Sequence, residues 1–489
     1  MKKRKAGLLL PIASLPGGHG IGDLGPAAYQ FIRYCKATGI RIWQILPIHP
    51  LGYGNSPYQP FSCYAGEAMY ISLELLKTDG LLKKCPAMEY DHPIAYEQVR
   101  NLKERYLQTA YQAFQKQFHT YQKEYEEFCQ KAFWLHDYTL FMAVKKVNDQ
   151  KPWITWSDAD KHLYQEASLP SHLLKEMDYQ TFLQFIFFRQ WQALKNFAHT
   201  HEVEIMGDMP IYVGLDSADV WANPGSFKLD EQGNPIWVAG VPPDYFSEDG
   251  QRWGNPIYNW EYMKEQRYSF WIDRLRWSMG LYDAIRIDHF RGFDSYWQIP
   301  ANSETAKLGE WIDGPGEALF DEIYRQLPHI QIVAEDLGDL RPSVLELRDH
   351  YQLRGMLVMQ FLLENLDQLK TETDIQHALI YTGTHDNPTL LSWLDSQSKK
   401  TLENLKDYFG ITKPEPQKLA DAIIQYTLCA EPDLAILPVQ DILYLDDMGR
   451  INTPSTIGSP NWEWRLSDMK QLDKQQPILK LWLRTANRI

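Results

Sequence analysis

Cysteine is scarce in this 489-residue chain: Cys35, Cys63, Cys85, Cys129 and Cys429 are scattered, odd in number and free of any CxxC pair. That excludes a disulfide scaffold, argues against a structural zinc site and points to a reducing compartment. No apolar run reaches the roughly 18 residues that cross a bilayer. Basic charge is also short, 49 Lys+Arg against 63 Asp+Glu for a net −14 and a pI near 5.5. A chain this acidic lacks the footprint for nucleic acid and disfavours polyanions and anionic membranes, which leaves a neutral ligand. The glycine-rich stretch Pro16–Gly22 lacks the Lys-Ser/Thr of a phosphate loop and misses the dinucleotide spacing, so it reads as a tight loop after a first strand or a plain turn. The start, Lys2 to Lys5 before apolar Ala6–Leu15, imitates a secretion signal. Pro11 interrupts it and no A-x-A-like site follows, so it reads as a buried strand of a cytoplasmic protein.

What is present is a well-populated globular composition, 44% apolar and 23% charged, with 17 Trp, 28 Tyr and 20 Phe. Length alone suggests about three domains, yet an elaborated barrel can absorb it. Short β-rich runs recur at 7–12, 41–46, 203–206, 282–287, 330–334, 355–361, 379–382 and 434–437. Most lack alternation, as parallel strands buried on both faces do. Helical periods fall between several of them, at 26–38, 268–279, 318–326 and 343–351. The expected fold is a (β/α)₈ TIM barrel with inserted subdomains, one catalytic domain over 1–489. The long gap after the second strand predicts a mainly helical insert at 75–200, with helices over 96–117, 121–147 and 179–201. Residues 210–263, rich in Gly, Pro, Asn, Asp and Trp, read as a loop-rich lid over the carboxyl face of the barrel.

Three acidic motifs end predicted strands: Asp283-Ala-Ile-Arg286-Ile-Asp288-His289, Ile332-Val-Ala-Glu335-Asp336, and Thr384-His385-Asp386-Asn387. A barrel brings Asp288, Glu335 and Asp386 to one mouth. Two or three carboxylates without a phosphate grip suit glycosidic bond chemistry, one attacking the oxocarbenium-like centre and a protonated one donating to the leaving oxygen. Arg286 shares a strand face with Asp288 and should favour its ionised form; burial and like charge should raise Glu335. Each carboxylate alone could simply cap a helix. A hard-metal site from Asp288, His289, Glu335, Asp336, His385 and Asp386 is the rival reading, opposed by the lack of H-x-H or H-E-x-x-H pairs.

These motifs, in order, resemble the amylomaltases or disproportionating enzymes, 4-α-glucanotransferases of glycoside hydrolase family 77 related to the α-amylases. The resemblance runs through Leu9–Gly25, Trp43–Pro47, Ser56–Gln59, Gly207–Val213, Asp216–Trp221, Trp253–Pro256, the acidic motifs and Asn461-Trp-Glu-Trp-Arg465. It implies a retaining double displacement with Asp288 as nucleophile, Glu335 as acid/base and Asp386 as third carboxylate. It further implies Arg286, His385 and Asp208 around the cleaved sugar, Tyr58 and Trp253 as aromatic sugar contacts, and Asn461 as a further contact. It calls for no metal or cofactor and no β-sandwich after the barrel. Maltooligosaccharides and α-1,4-glucans would be donor and acceptor. Ser455 stands where the family has a small residue, often Gly. Transfer needs a covered acceptor side, which Trp221, Trp237, Tyr245, Phe246, Trp253, Tyr258 and Trp260 could supply. A glucan hydrolase would use the same carboxylates; a metal-dependent sugar enzyme and a non-catalytic sugar-binding barrel complete the alternatives.

Overall fold

The computed structural model describes residues 4–17, 19–86, 93–243 and 248–489. Eight strands, Lys5–Leu9, Ile42–Gln44, Glu204–Met209, Ala284–Ile287, Ile332–Ala334, Gly355–Val358, Ala378–Tyr381 and Leu434–Pro438, pair in parallel. The sheet runs sixth, seventh, eighth, first, second, third, fourth, fifth. Its two ends meet through a single Val333–Arg354 bridge and an Ala334 amide donating to the Arg354 carbonyl at 2.8 Å. Asp336 completes that seam: one oxygen accepts the Met356 amide at 2.7 Å, the other an Arg348 guanidinium at 2.6 Å. All eight runs expected to be strands are strands of this barrel.

Side chains alternate along each strand, so every second residue enters the barrel. Leu9, Ile42, Met206, Val333, Met356, Leu379, Tyr381 and Ile436 fill the interior as one cluster, whereas Leu8, Trp43, Ile205, Ile285 and Leu437 pack outward against the helices. At the carboxyl ends this inward row changes from apolar to charged. Met206 is followed inward by Asp208, Ala284 by Arg286 and then Asp288, and Val333 by Glu335. Gly207, facing outward, has room for no side chain, since a Cβ there would stand 2.3 Å from the Tyr282 ring.

Between the second and third strands the chain forms helices Tyr96–Lys116, Phe118–Lys131, Leu135–Val147 and Ser171–Thr200. The single helix expected over 121–147 is thus two. Phe133 and Trp134 at the break pack edge-on against Trp277, and Trp134 stacks with Tyr64, so tertiary contacts override the local helical period. The last helix starts earlier than periodicity suggests, behind Pro170. The segment after the third strand holds more regular structure than its loop-like composition foretells. Trp237–Val241 and Gln251–Pro256 join Ser295–Pro300 and Glu310–Asp313 in a four-stranded antiparallel sheet. No strand follows Leu434–Pro438 among the described residues, and the chain runs into helix Lys470–Thr485. No helix among them is long and apolar enough to cross a membrane.

Candidate active site

The strand register decides which charged groups meet. Asp208 lies directly across from Arg286, and Arg286 across from Val333. Continuing the second pairing upward sets residue 288 beside residue 335, on neighbouring parallel strands roughly 4.8 Å apart. Backbone bonds beyond the strand ends hold this: the Glu335 amide donates to the Ile287 carbonyl at 3.0 Å, and the Phe290 amide to the Glu335 carbonyl at 3.0 Å. The Glu335 carboxylate accepts the His289 amide at 2.7 Å. Asp288 and Glu335 therefore flank one small basin. His289 takes φ 52°, which turns the chain sharply after Asp288.

Arg286 is fully buried and links two carboxylates, donating to Asp208 at 2.7 and 2.9 Å and to Asp288 at 3.0 Å. The Tyr58 hydroxyl donates to Asp208 at 2.7 Å and lies 2.8 Å from His385 Nε2, with the two rings stacked at 5.2 Å. Burial, then Asp208, keeps that phenol far from ionising. His385 Nε2 also stands 3.4 Å from Asp386. Across the barrel floor the Tyr381 hydroxyl donates to Gln44 at 2.8 Å, sealing the basin from below.

Burial, with Asp288 next, pushes the Glu335 carboxyl up to about 8. Asp288 is raised as well: burial outweighs the pull of Arg286, and Asp208 and Asp386 add to it. The expectation that Arg286 would hold Asp288 at low pKa therefore fails against burial. The asymmetry survives, because the guanidinium touches Asp288 and not Glu335; a single shared proton belongs on Glu335. Burial lowers His289 to about 4, so this imidazole adds no charge near neutrality.

Asp336, one residue past Glu335, spends both oxygens on the barrel seam and acts on the basin through its charge, which adds to the rise of Glu335. Among the described residues no three His, Cys, Asp or Glu side chains group as metal ligands do. Of the expected aromatic cover, Trp253 stands edge-on to His289 at 4.9 Å. Trp221 and Tyr258 are buried in the core instead, Trp221 against Phe141 and Trp156, Tyr258 against Phe227 and Trp271. Tyr245 and Phe246 lie outside the described residues. The glycine-rich loop, of which Gly18 lies outside them too, anchors through Gly17 to Arg465 and through His19 to Glu74.

A model of the family described as 4-alpha-glucanotransferase, glycoside hydrolase family 77, matches residues 10–471. The chain belongs to this family. It is 41% identical over 480 residues to the 4-alpha-glucanotransferase of Thermus thermophilus, covering 95% of each. It is 40% identical over 484 residues to that of Streptococcus pneumoniae TIGR4, covering 96% of this chain and 94% of the relative. The solved amylomaltase of Streptococcus agalactiae in complex with acarbose superposes with TM-score 0.94 at 33% identity, over 99% of this chain and all of that one, 100%.

Within this family member the loop after the eighth strand was the least legible part of the site. Trp462 faces both Tyr58 and His385, with ring centroids at 5.7 and 6.2 Å. It lies within the Asn461–Arg465 motif, but only the fold reveals where its ring goes. Asn461, expected as a sugar contact, is buried with its amide committed to the loop. It accepts the Thr453 amide at 2.8 Å and donates to the Thr456 hydroxyl at 2.8 Å. Gln59, beside Tyr58, ties the antiparallel sheet to the basin by donating to Asn255 at 2.8 Å and the Trp253 carbonyl at 3.2 Å.

Proposed function

We infer that the chain is a 4-α-glucanotransferase that breaks an α-1,4-glucan and passes the held segment to the 4-hydroxyl of another glucan or of glucose, with retention. The observation that carries this reading is a pair of unlike carboxyls on adjacent strand tips: Asp288 bonded to Arg286, and Glu335 without that bond and raised by burial and by Asp288. In the first step Glu335 gives its proton to the glycosidic oxygen. That bond's electrons leave with the reducing-end fragment, while an Asp288 oxygen bonds to the anomeric carbon. In the second step the Glu335 carboxylate takes the proton of the acceptor 4-hydroxyl, whose oxygen displaces Asp288. Retention requires the two carboxyl groups roughly 5–5.5 Å apart, and the tips of adjacent strands are where such a pair can stand.

Asp386 accepts hydroxyls of the distorted ring. Tyr58, Asp208 and His385 form the wall against that same sugar, joined by hydrogen bonds so that none can turn away independently. Trp253 covers the acceptor side, where a sugar face rather than water must reach the glycosyl-enzyme. The chemistry needs no cofactor, and we assign it to the cytoplasm, a setting that suits the unpaired thiols. Maltotriose tests the reading: transfer yields glucose and longer maltodextrins by chromatography, whereas products only shorter than the donor would establish a hydrolase.

A further inference from the structure

We propose that Asn452, braced by Arg450, is the positioning residue for the third carboxylate, Asp386. The inference rests on the function proposed above and concerns residues that it leaves unused. Asn452 Nδ2 donates to Asp386 Oδ1 at 2.6 Å. The Asn452 amide donates to the His385 carbonyl at 3.2 Å, and Arg450 Nη2 donates to the Asp386 carbonyl at 2.7 Å. Arg450 Nε closes the device on the Asn452 carbonyl at 2.8 Å. One short strap therefore grips both the main chain and the side chain of the His385–Asp386 pair.

The choice of an amide has a chemical reason. The Asp386 side chain is 41% exposed, and among the described residues its carboxylate takes its direct hydrogen bond from Asn452. Without that donor the carboxylate keeps His385 Nε2 at 3.4 Å, a longer contact that restrains its rotamers less. A guanidinium in that place would clasp both oxygens and quench their charge. A single neutral N–H fixes the plane and occupies Oδ1, while Oδ2, with His385 Nε2 standing off at 3.4 Å, stays open to sugar hydroxyls and to the developing positive ring. The strap itself is fixed from behind. Asn461 holds Thr453, and the Trp462 amide donates to the Ile451 carbonyl at 2.7 Å.

The groups facing Asp386 are His385, Arg450, Tyr58 and Asp288. These groups are present in wild type and in every variant, so the test compares pH profiles of maltotriose transfer by the full-length enzyme. Asn452→Ala should lower kcat about 10- to 100-fold, the scale of a misplaced catalytic group, with KM within about threefold. Asn452→Asp sets a second carboxylate against Asp386; such a pair shares a proton at low pH and repels at high pH. That near-isosteric variant should be poorest above pH 7 and recover toward pH 5, a dependence that loss of packing would not produce. Asn452→Ala with kcat within twofold of wild type, or Asn452→Asp with the profile of Asn452→Ala, overturns the proposal. Asp386→Asn separates the two levels. If it is dead while Asn452→Ala is normal, only the positioning role falls; if it is fully active, the three-carboxylate reading falls with it.

Discussion

Glu335→Gln should stop transfer and make the folded enzyme more stable at neutral and alkaline pH. The Glu335 carboxyl, pushed up to about 8 by burial and by Asp288, titrates near 4.3 in an unfolded chain. With the folded value raised, its favourable neutral state is fully present below about pH 4.3; stability then falls as pH climbs to about 8 and levels beyond. At ~1.36 kcal/mol per pH unit across that window, the penalty by pH 9 approaches ~5 kcal/mol. Water reaching the open basin and local relaxation reduce this to about 2 kcal/mol. Gln cannot ionise, and its amide oxygen still accepts the His289 amide that Glu335 accepts at 2.7 Å. Melting curves of both proteins at pH 4.5, 7 and 9, taken at one scan rate, give the assay. The variant's Tm advantage should be near zero at pH 4.5 and grow by on the order of 2–4 °C at pH 9. A pH-independent gap, or a variant less stable at pH 9, would refute the argument that Glu335 is held protonated. In the same variant a glucosyl donor with a good leaving group should retain more of the first step than maltotriose does.

The barrel and its carboxylates were legible because they obey short-range rules. A strand buried on both faces must be apolar throughout, which exposes all eight runs, and inward alternation carries from Arg286 to Asp288 and from Val333 to Glu335 without knowledge of partners. The charge state of Asp288 was half legible: Arg286 sits two residues away in sequence, but the burial that outweighs it comes from the whole basin. The antiparallel sheet stayed hidden because Trp237–Val241 pairs with Ser295–Pro300 across a long stretch of chain, and its flanks carry turn residues. Arg450, Asn452 and Trp462 were hardest to see. Their segment has no periodicity, and their meaning lies in hydrogen bonds and ring contacts to residues on other loops. Asp336 shows the converse: beside a catalytic candidate in sequence, it points to the barrel seam.

Asp288→Asn should cut turnover on the order of 10⁴-fold while maltodextrin binding by calorimetry persists, because Arg286 remains anchored on Asp208; an active variant would remove the nucleophile assignment. Tyr58→Phe loses the bonds to Asp208 and His385 and should cost about 1.5 kcal/mol, a roughly tenfold fall in kcat/KM on maltotriose. Trp253→Ala should shift products from longer maltodextrins toward net hydrolysis, read as reducing ends per glucose released; an unchanged ratio would place the acceptor cover elsewhere. Ser455 supplies the last case, and a conformational one. It sits at φ 64°, in the left-handed region that disfavours a side chain by roughly 1–2 kcal/mol, in an exposed part of the loop that carries Asn452 and Asn461. Glycine removes that strain but gives back roughly 0.5–1 kcal/mol through the greater freedom of the unfolded chain. Ser455→Gly should therefore stabilise by only about 0.5 kcal/mol and leave kcat unchanged, since the bonds from Asn452 and Arg450 to Asp386 arise before the strained residue; a large fall in kcat with unchanged stability would mean that the strain itself sets the third carboxylate.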